Sequence, residues 1–322
     1  MECDDSGGTE NNIEVMSKLI DEECIKSKDT TKPELFLGPE FAICGYTYDS
    51  ELAWSLAERE GGRTETFLCE MAKKHEIFFG LSYLEAREVD GKPHFQNTFA
   101  LAGPSGIIEG RVRKSRPCSV ESCIFRGSGE GDKGHVIQCS NGYRVGVLIC
   151  YENVLCDAIQ DVQTEGCDIL LQPFSGPLSG GGGEEFEKAL QELYSGMCTN
   201  NSKLVGAPAL YCNKVGKWKS PSPTYLAPST AFDTKFPGES KICDENGNVI
   251  CQLNETDIGV LTADVNVVAS RKEYSKPDIP RYSGGYTNSA FFLKICIIFE
   301  WLGKRSYNNN HTREEMGRKI LE

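Results

Sequence analysis

One stretch constrains the fold more than any other: Tyr-Arg-Val-Gly-Val-Leu-Ile-Cys-Tyr-Glu-Asn-Val-Leu-Cys-Asp, residues 143–157. Val145, Val147, Leu148 and Ile149 form a short apolar run, largely β-branched, which predicts a strand buried on both faces. From Val154 to Thr164 the spacing predicts a helix. Cys150 therefore falls on a strand-to-helix turn, which lifts a side chain out of the sheet. The helix beyond can point free backbone N–H groups at nearby negative charge. A thiol so placed can act as a nucleophile. The bland alternative is inert packing, since the chain has fifteen cysteines and free cysteine is commonly buried.

Two charged residues occupy similar positions upstream. Leu35-Phe36-Leu37 ends in Gly38-Pro39-Glu40, and the strand-like run from Ile107 ends at Lys114. An acid, a cation and a thiol thus each stand just past a strand, where ligands and catalytic groups gather in layered α/β folds. Taken singly, Glu40 could be a surface cap, and Lys114 a solvated lysine among Arg111, Arg113 and Arg116.

Gly-Pro-Glu-Phe-Ala-Ile-Cys-Gly-Tyr (38–46), Arg-Lys-Ser-Arg-Pro-Cys-Ser-Val-Glu (113–121) and Leu-Ile-Cys-Tyr-Glu-Asn (148–153) together resemble the three catalytic blocks of the nitrilase, or carbon–nitrogen hydrolase, superfamily. The resemblance extends through a late hairpin at Phe236–Ile250 to a closing strand at Gly259–Val265. It implies a four-layer αββα sandwich; alternation of strand-like and helical stretches alone gives only α/β. It also implies roles: Cys150 as nucleophile, Glu40 as general base and acid, and Lys114 as the donor to the oxyanion, helped by the Tyr151 N–H. Glu121 would anchor that lysine. Tyr46, Tyr151, Glu152 and Phe174 complete the candidate set as substrate-binding residues, Glu152 and Asn153 being placed also to cap the following helix.

The implied reaction is hydrolysis of a non-peptide C–N bond, amide or ureido, with nitriles as the narrower option. It proceeds through a Cys150 thioester with loss of ammonia. The substrate is a small molecule, and neither a metal nor an organic cofactor is called for. With four histidines, no His-x-x-x-His and no Cys-x-x-Cys, the sequence offers no zinc pattern. The alternative from another class is a catalytically silent binding or assembly protein on the same fold.

Composition sets outer bounds. A net charge of −13 with no dense Lys/Arg stripe excludes a nucleic-acid partner. An N-terminus without an apolar core and an odd, scattered cysteine count read as a cytoplasmic protein. Residues 1–11 are expected to be disordered, 12–275 to form the hydrolase domain, and 276–322 to be an extension. Nothing ahead of the helix Ile13–Cys24 is apolar enough to be the family's usual first strand. That strand is expected to be missing or replaced by something irregular, leaving an exposed sheet flank. Residues 277–288 read as an extended stretch. Residues 290–303 read as an apolar helix, too short to span a bilayer. It suits packing on the body or on a second subunit, in a homodimer or larger assembly; the sharper reading is a membrane-surface anchor. Lys304–Glu322 is expected to fray.

Overall fold

The computed structural model describes residues 1–5, 8–26, 32–129, 132, 134–178, 183–223, 225–226, 231–267 and 289–322. The N-terminal half contains α1 (Thr9–Lys26), β1 (Leu35–Leu37), α2 (Ser50–Ser55), α3 (Arg63–His75), β2 (Phe78–Val89), β3 (Lys92–Ala102) and β4 (Ile108–Arg113). Then follow β5 (Val136–Gln138), β6 (Arg144–Val147), α4 (Cys156–Glu165), β7 (Ile169–Pro173), α5 (Glu184–Val205) and β8 (Ala209–Cys212). The chain continues through β9 (Val215–Ser220), β10 (Phe232–Pro237), β11 (Lys241–Cys243) and β12 (Val249–Gln252) to α6 (Ser289–Asn308) and α7 (His311–Leu321).

Two sheets carry the fold, one ordered β1-β2-β3-β4 and the other β12-β11-β8-β7-β6-β5. Alternation along the strands decides what each face meets. Phe79, Leu81 and Tyr83 of β2, with Ala100 and Ala102 of β3, pack with Met16 and Ile20 of α1 and Phe67, Leu68 and Met71 of α3. Phe99 and Leu101 of β3 and Val112 of β4 enter a second cluster, with Val145, Val147, Ile169 and Leu171 of the other sheet. That cluster continues into Ile159 and Val162 of α4 and Leu190 and Leu193 of α5. The layers are therefore helix, sheet, sheet, helix, as expected. All five residues of β7 are buried, which matches the apolar run Ile169–Leu171 that opens it. Between β2 and β3, Asp90 (φ 53°) and Gly91 (φ 73°) make the two-residue turn that an Asp-Gly pair favours.

Four expectations need correction. The N-terminus is not a loose tail: α1 begins at Thr9 and Met1 is buried. The Met1 carbonyl accepts from Val215 N at 3.1 Å, and Asp5 Oδ1 accepts from Lys214 Nζ at 2.7 Å and Tyr46 N at 2.6 Å. A fully buried lysine needs a counter-charge, and Asp5 supplies it. Second, the stretch from Lys203 to Pro208 is not a strand; α5 runs on to Val205 and ends at Gly206, in the left-handed conformation (φ 73°). Third, residues 259–267, which include the expected closing strand, form no strand.

Fourth, the polar C-terminus is folded. Tyr307 and Arg313 are buried against β3, with Phe95 N donating to Tyr307 Oη at 2.9 Å and Arg313 Nη1 donating to the Pro93 carbonyl at 3.0 Å. The Arg313 guanidinium also lies 4.5 Å from the Tyr307 ring centroid. A segment polar in composition still docks when a few long side chains find buried partners. Residues 277–288 lie outside the described residues. Among those described, no helix is long and apolar enough to cross a membrane.

Ahead of α1, residues 1–5 form no strand and lie beside β9. Among the described residues, no strand pairs with the outer edge of β1.

Candidate active site

β6 ends at Val147, and two residues later the backbone turns sharply. Cys150 has φ +50°, a left-handed conformation that costs a non-glycine residue about 1–2 kcal/mol. Such strain persists only where the surroundings enforce it. Asn153 Nδ2 donates to the carbonyls of Leu148 (3.0 Å) and Cys150 (2.9 Å), and Asn153 Oδ1 accepts from Asn201 Nδ2 (3.1 Å) and Gln172 Nε2. Glu152 Oε2 accepts from Ile149 N at 2.8 Å. Its other oxygen accepts from Ser115 N and Oγ, both at 2.7 Å, and faces His135 Nε2 at 3.1 Å. Glu152 thus ties the cysteine turn to the residue following Lys114.

Against that turn stand the charges. Lys114 Nζ lies 3.0 Å from Glu40 Oε1 and 2.8 Å from Glu121 Oε2, with all three side chains essentially inaccessible to water. One carboxylate oxygen from Glu40, one from Glu121 and the Cys150 sulfur fall within 4.8 Å of one another. β1 delivers Glu40, whose N–H donates to the Phe174 carbonyl at 3.3 Å. β4 delivers Lys114, whose N–H donates to the Asn97 carbonyl at 2.9 Å. A 3-10 turn, Ser119–Cys123, carries Glu121, which also accepts from Cys118 N at 2.7 Å.

Two buried carboxylates share one ammonium. Burial raises the Glu40 pKa, and the Lys114 charge offsets this only in part. Burial, then the Glu40 charge, pushes the Cys150 thiol well above its ordinary value. Burial opposes the Lys114 charge, yet Glu121 and Glu40 together outweigh it and hold the ammonium well above the ordinary lysine value. The resting site then brings together a thiol, an ammonium and two carboxyl groups. Moving the thiol proton to Glu40 leaves the net charge unchanged, so it avoids the cost of creating a buried charge. Glu40 Oε2 has no hydrogen-bond partner among the described residues, so it is open to that proton. The carboxylate–thiol donor set could suit a cation, but the Lys114 ammonium already pairs with both of its carboxylates.

Tyr46 is brought in through Glu121, its hydroxyl donating to Glu121 Oε1 at 2.9 Å. Phe174 contributes its carbonyl, while its ring packs on Tyr194 and Tyr211. Tyr151 is buried within the cysteine turn. Glu152 is the exception. Its carboxylate faces Ser115, Ile149 and His135, which makes it a brace and not a substrate-binding residue.

Asn97 was not anticipated: its Nδ2 donates to Glu40 Oε1 at 2.7 Å, and its Oδ1 is buried with no partner among the described residues. The available signal was Gln96-Asn97-Thr98, three polar residues between Phe95 and Phe99 of β3. Ser175 was also missed. Its backbone N–H interacts with the Cys150 sulfur, and its buried hydroxyl has no partner among the described residues.

A family model described as carbon-nitrogen hydrolase matches residues 7–272. The chain belongs to that family. A nitrilase of Pyrococcus abyssi (strain GE5 / Orsay) is 26% identical over 154 residues, 47% of this chain and 56% of the relative. The chain thus spans little more than half of that curated relative's length. Among solved structures, a carbon-nitrogen hydrolase from Helicobacter pylori G27 superposes with a TM-score of 0.63 at 19% identity, over 80% of this chain and 84% of that one. An amidase of Nesterenkonia AN1 from the nitrilase superfamily gives 0.59 at 14% identity, over 80% and 86%. At these identities the likeness is one of fold.

α6 clamps the turn that carries Glu121. Ser122 Oγ donates to the Glu300 carbonyl at 3.0 Å. A Cβ at Gly303 would sit 2.2 Å from Ser122 Oγ and 2.9 Å from Cys123 N. Gly303→Val is therefore expected to destabilise the fold by about 1–3 kcal/mol through overpacking. Turnover should fall several-fold as Glu121 shifts beside Lys114. Thermal denaturation and ammonia release measure the two effects; a variant unchanged in both would show that α6 does not hold the turn.

Proposed function

We propose that this protein hydrolyses the C–N bond of a small amide or ureido compound, using Cys150 as nucleophile and releasing ammonia. The observation that carries the reading is the buried Glu40–Lys114–Glu121 network against the sulfur of a strained cysteine. Glu40 takes the thiol proton as sulfur attacks the carbonyl carbon, and Lys114 donates to the oxyanion that forms. Glu40 then returns the proton to the departing nitrogen, and ammonia leaves a thioester on Cys150. Water, deprotonated by Glu40, attacks that thioester to free the acid, and the proton restores the thiol. The raised Glu40 pKa suits a group that must both take and give a proton. The enclosure of Cys150 favours a small acyl group.

Primary amides, carbamoyl-amines and nitriles should be tested for ammonia release, with acid-quenched enzyme analysed by peptide mass spectrometry. An amide should leave an acyl mass on the Cys150 peptide alone. A nitrile adduct would retain its nitrogen as a thioimidate, one mass unit lighter than the matching thioester, and would redirect the substrate class. No turnover, with Cys150 alkylated no faster than the other cysteines, would instead support a silent binding protein on this fold.

A further inference from the structure

One face of β3 carries Phe95, Asn97, Phe99 and Leu101, all of them buried. The polar residues on either side of Asn97 face the other way. Gln96 Oε1 accepts from Arg87 Nη1 at 3.2 Å, and Thr98 Oγ1 donates to Glu85 Oε2 at 2.6 Å. An amide on an otherwise apolar face is costly to bury unless it is hydrogen-bonded. Asn97 directs its Nδ2 at the candidate base, Glu40 Oε1, at 2.7 Å.

Asn97 itself has little freedom. Its backbone pairs with Leu84 of β2 on one side, and its carbonyl accepts from Lys114 N at 2.9 Å on the other. One residue thus holds the side chain of Glu40 and the backbone of Lys114. The two donors to Glu40 Oε1 differ in kind. The Lys114 ammonium, 3.0 Å away, is a compact charge with three rotatable donors, so it anchors the carboxylate without fixing its plane. Rotation of a carboxylate about its last side-chain bond is soft. A planar amide on a pinned backbone removes that freedom, and the Cys150 sulfur lies within 4.8 Å of a Glu40 oxygen.

We propose that Asn97 is a positioning residue: it sets the rotation of the Glu40 carboxylate, so that one oxygen stays with Lys114 and the other exchanges the proton. The inference rests on the thiol chemistry proposed above, and it adds the group that keeps the base in register with the sulfur.

The test compares full-length wild type with Asn97→Leu and Asn97→Asp, both close to asparagine in size. Iodoacetamide alkylation of the Cys150 peptide, read by mass spectrometry across pH, needs no substrate. Ammonia release from an amide or ureido compound is followed in parallel. Besides Asn97, Glu40 faces Lys114, Glu121 and Cys150, which neither variant changes. Asn97→Leu removes a donor to the carboxylate, so Glu40 holds its proton more tightly. The acid limb of both profiles should move up by about one pH unit. Asn97→Asp should move it at least as far, since a further carboxylate adds like-charge repulsion. Turnover should fall by about 10²-fold, with KM changed by less than about twofold. Acid limbs that coincide with wild type would overturn the proposal, because a residue that only packs the sheet alters stability and not that midpoint. Should Asn97→Leu not fold, Asn97→Asp, which keeps the shape of the side chain, decides alone. If wild type releases no ammonia from any amide or ureido compound, the function proposed above falls, while the alkylation profile still decides the role of Asn97.

Discussion

Lys114→Met is expected to abolish nearly all turnover and to destabilise the fold together. Methionine preserves the length of the side chain but leaves Glu40 and Glu121 facing each other without a cation. Removing one partner of a buried ion pair typically costs about 3–5 kcal/mol. Loss of the oxyanion donor removes about 10²–10³-fold in rate by itself. A second substitution separates the two effects. Glu40→Gln in the Lys114→Met background removes one stranded charge, so it should restore part of the stability and none of the activity.

The pH dependence follows from the sign of the Glu40 shift. Its folded-state pKa is raised chiefly by burial, so the folded protein binds this proton more tightly than the unfolded chain does. Stability then falls as pH climbs from the unfolded value, near 4.3, through the folded one. Without Lys114 the Glu40 pKa must rise further, so the deficit of Lys114→Met should widen with pH. Urea denaturation at acidic and mildly alkaline pH checks this; a deficit independent of pH would mean that the carboxylates are not stranded by the change.

Local patterning located Cys150 because everything that exposes it is near in sequence: an apolar run, a polar interruption and a helix. Glu40 and Lys114 were visible as strand-end residues, but only the three blocks taken together raised them above a surface cap and a solvated lysine. What stayed hidden arises from contacts distant along the chain. Asn97 meets Glu40 across 57 positions, and Glu152 meets Ser115 across 37. No periodicity encodes such pairings. Composition misled at both termini for a related reason. Asp5 and Arg313 look like solvent-exposed charges until Lys214 and the Pro93 carbonyl are brought beside them. Residues 259–267 show the converse: their burial alternates as in a strand, yet among the described residues they pair with none.

Glu152→Ala should produce the other large effect, although Glu152 touches no reacting atom. Burial opposes its charge, but the His135 hydrogen bond and charge, with the Ser115 donors, outweigh that and lower its pKa. His135 is the mirror case: burial opposes protonation, and the bond and charge of Glu152 outweigh it and raise the pKa. The carboxylate therefore contributes stability above its unfolded value, near 4.3, and loses it as pH falls through the folded value. The imidazolium contributes below its unfolded value, near 6.5, and loses it as pH rises through the folded value. Both contributions are complete between about pH 4.3 and 6.5, and there the stability difference between wild type and Glu152→Ala should be widest, about 3–5 kcal/mol. Alanine also strands the N–H groups of Ser115 and Ile149, which flank Lys114 and Cys150 in sequence. The strained cysteine turn loses one of its restraints, and a displacement of the sulfur by about 1 Å is enough to cost about 10²-fold in turnover. Glu152→Gln separates geometry from charge, since it keeps an acceptor for one backbone N–H. It should recover much of the rate but flatten the pH dependence of stability. If Glu152→Ala instead turns over normally, the left-handed conformation at Cys150 is held by Asn153 alone.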